Sequence, residues 1–262
     1  MSVASKVATL AWYLRRPSLY GELFRRVRAM RVSTSNSVEK AKREKVEGQR
    51  WCEQQVVPAA RLLESLQLPT ATPAIETLHP TEWAEAHAAV NACPVKMGGP
   101  ANLEVLYHLC RGMKVERVVE TGVANGWSTL AVLLALRANG EGRLASVDMP
   151  YAKMNNEAWV GCAVPQALRD RWTLIRKPDR DGLPEAIAAL GTLDLAHYDS
   201  DKSYEDRMFG YHLLWAALRP GGLLLSDDIE DNSAYADFAK EVSRPTWVLP
   251  KKPGNYAGVL IK

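Results

Sequence analysis

A chain of 262 residues is long enough for one large α/β domain with an extension, and at this size folding buries roughly 70–75% of the surface of the unfolded chain, so no disulfide or metal staple is needed. Hydrophobic residues at 47% and charged residues at 24% exclude wholesale disorder and a fibrous chain. A net charge of +3 is too small to mark a nucleic-acid binder, and no nucleic-acid partner is expected. The charge is uneven all the same: residues 1–50 hold 12 Lys/Arg against 4 Glu.

Cys52, Cys93, Cys110 and Cys162 form no CxxC pair, so they read as reduced thiols rather than a zinc ribbon or a disulfide framework. No apolar run reaches the ~20 residues of a membrane-spanning helix. The weakly apolar start carries Lys6 early and Arg15-Arg16 after it, the wrong order for a signal peptide. A cytoplasmic protein is expected.

Residues 3–32 predict one or two helices, with Val7, Leu10, Ala11 and Leu14 recurring before Pro17, and Leu19, Leu23, Val27 and Met30 after it. Arg15, Arg16, Arg25, Arg26, Arg28 and Arg31 fill the polar side, and Trp12, Tyr13, Tyr20 and Phe24 sit among them. Two readings stay open. Such a helix can lie on an anionic membrane surface or dock an acidic partner, or it packs on its own domain or a second subunit with a solvated arginine face. Residues 33–50 are polar and predict a loop or an exposed helix. Breaks follow at Pro58, at Pro69 to Pro73, at His79-Pro80 and at 96–100. Thr81 with Glu82 and Glu85 predicts a helix start, and Pro100 the first turn of a helix to about Met113.

From Glu116 strands and helices alternate. Strands are predicted at 117–121, 142–149, 172–176, 193–198 and 223–226, and helices at 127–138, 183–190, 204–218 and 233–242. Such units make a parallel sheet covered on both faces. The last two strands, 246–249 and 256–261, are joined by too short a link for a parallel crossover, so they must be antiparallel if they pair.

Val119-Glu120-Thr121-Gly122-Val123-Ala124-Asn125-Gly126-Trp127-Ser128-Thr129 lies where the first strand of this region turns into a helix. Two glycines there allow tight turning and close approach of a ligand. The spacing is neither GxGxxG nor a P-loop. Asp148 ends the second strand, where an acid can accept two ribose hydroxyls. At the end of the fourth strand comes His197-Tyr198-Asp199-Ser200-Asp201-Lys202-Ser203-Tyr204, and at the end of the fifth Ser226-Asp227-Asp228. If the fourth and fifth strands are neighbours, their ends lie about 4.8 Å apart, close enough for Asp199, Asp227 and Asp228 to surround one ion. Hard oxygen donors suit Mg²⁺, Mn²⁺ or Ca²⁺. The competing reading is helix capping, for which Ser203 with Asp206, and Asp231 or Asn232, are candidates. Lys202, three residues past Asp199, is a candidate base for a metal-bound hydroxyl or a solvated loop lysine. His197 is the alternative base or a packed residue; His212, Tyr204, Tyr211 and Trp215 read as structural.

These stretches resemble the class I S-adenosylmethionine-dependent methyltransferases over roughly residues 95–262, and are closest to the metal-dependent O-methyltransferase branch with the macrocin O-methyltransferase-like enzymes. The resemblance implies a Rossmann-like sheet of seven strands, the last one antiparallel, with residues 95–262 as the cofactor domain. Residues 1–94 become a helical N-terminal extension serving as lid, oligomer contact or docking surface. It also implies S-adenosylmethionine and a divalent cation such as Mg²⁺ as cofactors. Glu120 and Gly122 then line the methionine end, with Val123, Asn125 and Ser128 of the same loop; Asp148 holds the ribose, and Asp179 is the adenine candidate. The metal ligands are Asp199, Asp227 and Asp228. Macrocin-like enzymes usually carry His where this chain has Lys202, and catechol-type enzymes carry Lys. The expected substrate is a small hydroxylated molecule, by analogy a sugar or glycosylated natural product. The alternatives are metal-independent N- or C-methyl transfer and a non-catalytic binding domain.

Overall fold

Alternate residues along each central strand point to opposite faces of a sheet, and here both faces are apolar. In the computed structural model, which describes residues 3–32, 35–100, 102–152 and 154–262, seven strands form one sheet: β1 (Arg117–Thr121), β2 (Arg143–Val147), β3 (Trp172–Ile175), β4 (Leu193–Tyr198), β5 (Leu218–Ser226), β6 (Trp247–Lys252) and β7 (Asn255–Ile261). Their order is β3-β2-β1-β4-β5-β7-β6. Strands β1 to β5 pair in parallel, and β7 runs antiparallel to both neighbours. This is the Rossmann-like, seven-stranded sheet that the resemblance implies, with the predicted terminal hairpin in place.

Val118, Leu195, Leu223 and Val259 pack on one face with α7 (Leu103–Gly112) and α8 (Trp127–Asn139). Their neighbours Val119, Ala196, Leu224 and Leu260 pack on the other, against α9 (Asp179–Leu190), α10 (Tyr204–Ala217) and α11 (Ala234–Glu241). Strands buried on both sides read as near-continuous apolar runs, which is why they stand out in the sequence.

The N-terminal part is helical: α1 (Val3–Leu14), a short 3₁₀ turn at Pro17–Leu19, α2 (Tyr20–Val32), α3 (Ser35–Gln55), α4 (Ala59–Ser65), α5 (Ile75–Leu78) and α6 (Pro80–Ala92). The side chains of Met30 and Arg31 lie outside the described residues. Residues 35–55 form one long helix, mostly exposed over residues 39–50 as predicted, and seated through Gly48 and Cys52: Cys52 is buried, and a Cβ on Gly48 would lie 2.6 Å from the Glu230 carbonyl oxygen. Four expectations need correction. Helix α6 starts at Pro80, not Thr81. Pro100 precedes α7 rather than opening it. Helix α9 begins four residues early, at Asp179 directly after Pro178, and runs on through Pro184 in its interior. Tyr211 is fully buried, but Tyr204 is exposed rather than packed. All four cysteines are free, Cys52 and Cys110 buried and the other two partly so. Among the described residues no helix is long and apolar enough to cross a membrane.

Candidate active site

The order of strands reverses between β1 and β4, where an open parallel sheet leaves a crevice at its carboxyl ends. Glu120 sits opposite His197 and Tyr198 opposite Ser226, so the chain leaves β1, β4 and β5 side by side. After β1 the backbone turns at Gly122 with φ +77°, and a Cβ there would lie 2.0 Å from the Asp199 carbonyl oxygen. Only glycine fits. The Val123 N–H then donates to Asp148 Oδ1 at 2.9 Å, tying the end of β2 to this loop. Asp148 also pairs with Arg176 from the end of β3.

A cavity of about 300 Å³ opens here. Gly122, Val123, Ser128, Asp148, Asp199 and Asp227 of the predicted set line it. The other predicted residues stand elsewhere. Asn125 is buried behind the wall, its Nδ2 donating to the Gly98 carbonyl at 3.4 Å. Asp179 faces a smaller polar pocket that shares Gly122 and Asp148 with the first. Glu120 lies wholly beneath the floor, where Oε2 accepts from Thr129 Oγ1 at 2.6 Å and Ser146 Oγ at 2.7 Å.

Glu120 Oε1 instead faces His197 Nδ1 at 3.6 Å. Burial favours the neutral form of each. It is outweighed by their mutual attraction, aided by Ser128 and Ser146 at the carboxylate and by Asp199 and Asp227 at the imidazole. Glu120 is therefore held below the usual carboxylate range and His197 above the usual imidazole range. His197 lines the cavity. The sequence places it two residues before Asp199, on the same strand face, but does not reveal this pairing across strands.

Asp199, Asp227 and Asp228 meet at the edge of the cavity, each offering a carboxylate oxygen within 4.8 Å of the others. Two lysines sit among them. Lys202 pairs with Asp199, and with Asp228 at 3.1 Å. Lys251, from β6, pairs with Asp227 at 2.5 Å and with Asp228 at 2.8 Å. Burial would raise the Asp228 carboxyl, but the two ammonium groups hold it down at about 2. For Asp227, burial and the facing charge of Asp199 win over Lys251, and its pKa is raised. Both lysines are raised against the effect of burial, Lys202 by Asp199 and Asp228, and Lys251 by Asp227 and Asp228. Lys251 escapes sequence reasoning because it reaches the site only through the terminal hairpin.

The capping residues do their local work beside this cluster. Ser203 Oγ accepts from the Asp206 N–H at 3.2 Å, and Asn232 Oδ1 from the Ala234 N–H at 3.0 Å. Capping therefore accounts for Ser203 and Asn232, not for the three aspartates. Below them Arg207, fully buried, donates Nη1 to the Asp227 carbonyl at 3.2 Å and Nη2 to the Asp228 carbonyl at 2.8 Å.

Asp179 accepts from Ser200 Oγ, and burial, with Asp201 and Asp206 nearby, pushes its carboxyl up to about 6. A raised acid binds its proton more tightly folded than unfolded. Its contribution is complete below about pH 4 and is lost as pH rises through about 6. Asp179→Asn is therefore expected to raise the cofactor-free melting temperature at pH 8 and to change it little at pH 4, with a gain of about 1–3 kcal/mol at the upper end. Equal shifts at both pH values would show that the carboxylate is not strained by burial.

Residues 119–229 match the model of a methyltransferase domain family. Over 123 residues the chain is 32% identical to catechol O-methyltransferase domain-containing protein 1 of Mus musculus; the match covers 46% of this chain and 45% of that relative. The chain thus spans about half the length of the curated relative it matches. Its fold is similar to that of the cofactor-bound protein Rv0187 from MTB, at 18% identity and TM-score 0.54, covering 73% of this chain and 98% of that one. It is also similar to an O-methyltransferase from Bacillus cereus in complex with SAH, at 16% identity and TM-score 0.51, covering 80% and 100%. Residues 119–229 thus match a methyltransferase domain, and the sheet that carries them has the Rossmann-like fold of these structures.

Proposed function

We propose that this protein transfers a methyl group from S-adenosylmethionine to a hydroxyl of a small molecule, assisted by a divalent cation such as Mg²⁺. The observation that carries this reading is the convergence of Asp199, Asp227 and Asp228 beside the cavity opened by the glycine loop. Three carboxylates this close repel one another, and burial together with the facing charge of Asp199 raises the carboxyl of Asp227. All-oxygen donors of this kind fit Mg²⁺ or Mn²⁺.

S-adenosylmethionine supplies an electrophilic methyl group, and the cation makes a hydroxyl bound to it easier to deprotonate. The chain supplies placement. Gly122 and Val123 would let the backbone come close to the ligand, and Asp148 would accept the ribose hydroxyls in exchange for its contacts with the Val123 N–H and Arg176. Met97, Leu103, Leu106 and Trp127 give the cavity an apolar wall that excludes water. Lys202 Nζ, beside Asp199, is placed to take up the hydroxyl proton. Asp199 and Asp228 hold it as an ammonium, so base action requires their charge to be taken up first. Transfer is direct, with no covalent enzyme intermediate. Lys202→Met should then lower kcat by about 10²–10³-fold with KM little changed, as expected for a group that moves a proton only in the transition state. A rate within twofold of the parent would leave Lys202 a spectator.

The substrate class inferred from the family resemblance is a sugar or glycosylated natural product. The apolar wall favours a second reading, a hydroxyl carried on an apolar or aromatic ring. A second reading of the chemistry has its own observation: Lys202 and Lys251 already offset most of the cluster's charge, which suits metal-independent transfer. Chelation separates the two. After EDTA treatment, turnover should fall about 100-fold or more and return with added Mg²⁺; unchanged turnover would exclude the ion. Calorimetry with S-adenosylmethionine separates both from a non-catalytic domain, which would give no binding heat.

A further inference from the structure

Half of the ten large exposed apolar residues among the described residues fall between positions 7 and 24. Val7, Leu10 and Leu14 stand three and four residues apart, which puts them on one face of α1. That face points to solvent, with Val7 61% and Leu14 57% exposed, while Tyr13 on the other side is buried. The Tyr20 hydroxyl donates to the Leu14 carbonyl at 2.9 Å, joining the stripe to α2. One turn on, Phe24 is 71% exposed. The patch therefore continues across both helices.

The cations beside it divide into two groups. Arg25 and Arg26 are held by buried Glu22, Arg25 reaches on to Asp206 of α10, and Arg16 pairs with Glu157 at 3.4 Å. Arg15 and Arg28 are exposed and make no ion pair among the described residues. Arg15 adjoins Leu14, and Arg28 lies one turn beyond Phe24. An apolar stripe edged by unpaired arginines fits an interface that is apolar inside and negatively charged at its rim. At about 18 Å, α1 is too short to span a bilayer and long enough to lie along one.

We propose that the α1–α2 surface docks the protein on an anionic lipid membrane, with Val7, Leu10, Leu14, Tyr20 and Phe24 entering the headgroup boundary and Arg15 and Arg28 meeting lipid phosphates. A second copy of this chain fits less well. A twofold interface sets the same patch against itself, so the unpaired arginines of both copies would face one another; an anionic bilayer neutralises them instead. The same helix α2 sends Glu22, Arg25 and Arg26 inward to the polar pocket that borders Asp148 and Asp179. Docking would therefore hold the cofactor side of the domain close to the lipid surface.

The test is co-sedimentation of the full chain with vesicles of phosphatidylcholine alone and of phosphatidylcholine mixed with phosphatidylglycerol. Binding is expected to the mixed vesicles, weakened by salt, and not to the neutral ones. A Leu10→Glu/Leu14→Glu double variant, Phe24→Ser, and an Arg15→Glu/Arg28→Glu double variant should each lower partitioning, the arginine pair by about tenfold or more. These side chains are exposed, so far-ultraviolet circular dichroism and S-adenosylmethionine binding should stay at parent values. No binding to either vesicle, equal binding to both, or a dimer that the Leu10→Glu/Leu14→Glu variant dissolves without any vesicle binding would overturn the proposal.

Discussion

Asp199→Ala is expected to lower metal-supported methyl transfer by about a thousandfold while leaving S-adenosylmethionine affinity within a few-fold of the parent. The selectivity follows from position. The Asp199 side chain is a third exposed and faces the other two carboxylates, so its loss opens no cavity in the core. Its backbone carbonyl, against which Gly122 packs, is kept by alanine. The cofactor loop is held from the other side, through Val123 and Asp148. Initial rates over a Mg²⁺ titration, with calorimetry of the cofactor, read the two effects separately. A normal rate would remove Asp199 from the site. Loss of cofactor affinity to the same degree as the rate would instead mean that the turn after β4 had collapsed.

Arg207→Met should destabilise the fold by about 3 kcal/mol and lower the melting temperature by roughly 6–12 °C. The guanidinium is fully buried and bonds the carbonyl oxygens of Asp227 and Asp228 and the Tyr211 hydroxyl. Methionine fills much of the space and donates nothing, so these buried carbonyls lose a charged partner. Asp228 adopts φ +49°, a left-handed conformation that a non-glycine residue keeps only when its surroundings hold it there. Released, it should relax and carry its carboxylate away from Asp227. Calorimetric melting and Mn²⁺ binding on the same variant check both consequences. An unchanged melting temperature would show that the turn holds itself.

The parallel core was legible because strands buried on both faces leave little room for polar residues: β1 and β4 run within the predicted limits. The hairpin was legible from the length of its link alone. The carboxylates were legible because acids at strand ends have few local duties, and the local duties belong to Ser203 and Asn232. Three features were hidden for a common reason. Lys251 is 23 residues from Asp228, Arg207 is 20 from Asp227, and Glu120 meets His197 across two strands. Each partnership is set by sheet order, and none leaves a periodic trace in the chain. The seat of helix α3 on the domain was hidden for another reason. Its packing surface is made by Gly48 and Cys52 rather than by large apolar residues, so no stripe marks it.

Lys251 arrives on β6, which joins the sheet only by way of β7. During synthesis the acids of β4 and β5 emerge first and, with only Lys202 beside them, carry a surplus of negative charge until Lys251 follows. Docking of the β6–β7 hairpin thus both covers the free side of β5 and balances the crevice electrically. A chain shortened before Trp247 should feel that surplus even where its hydrophobic layers are complete.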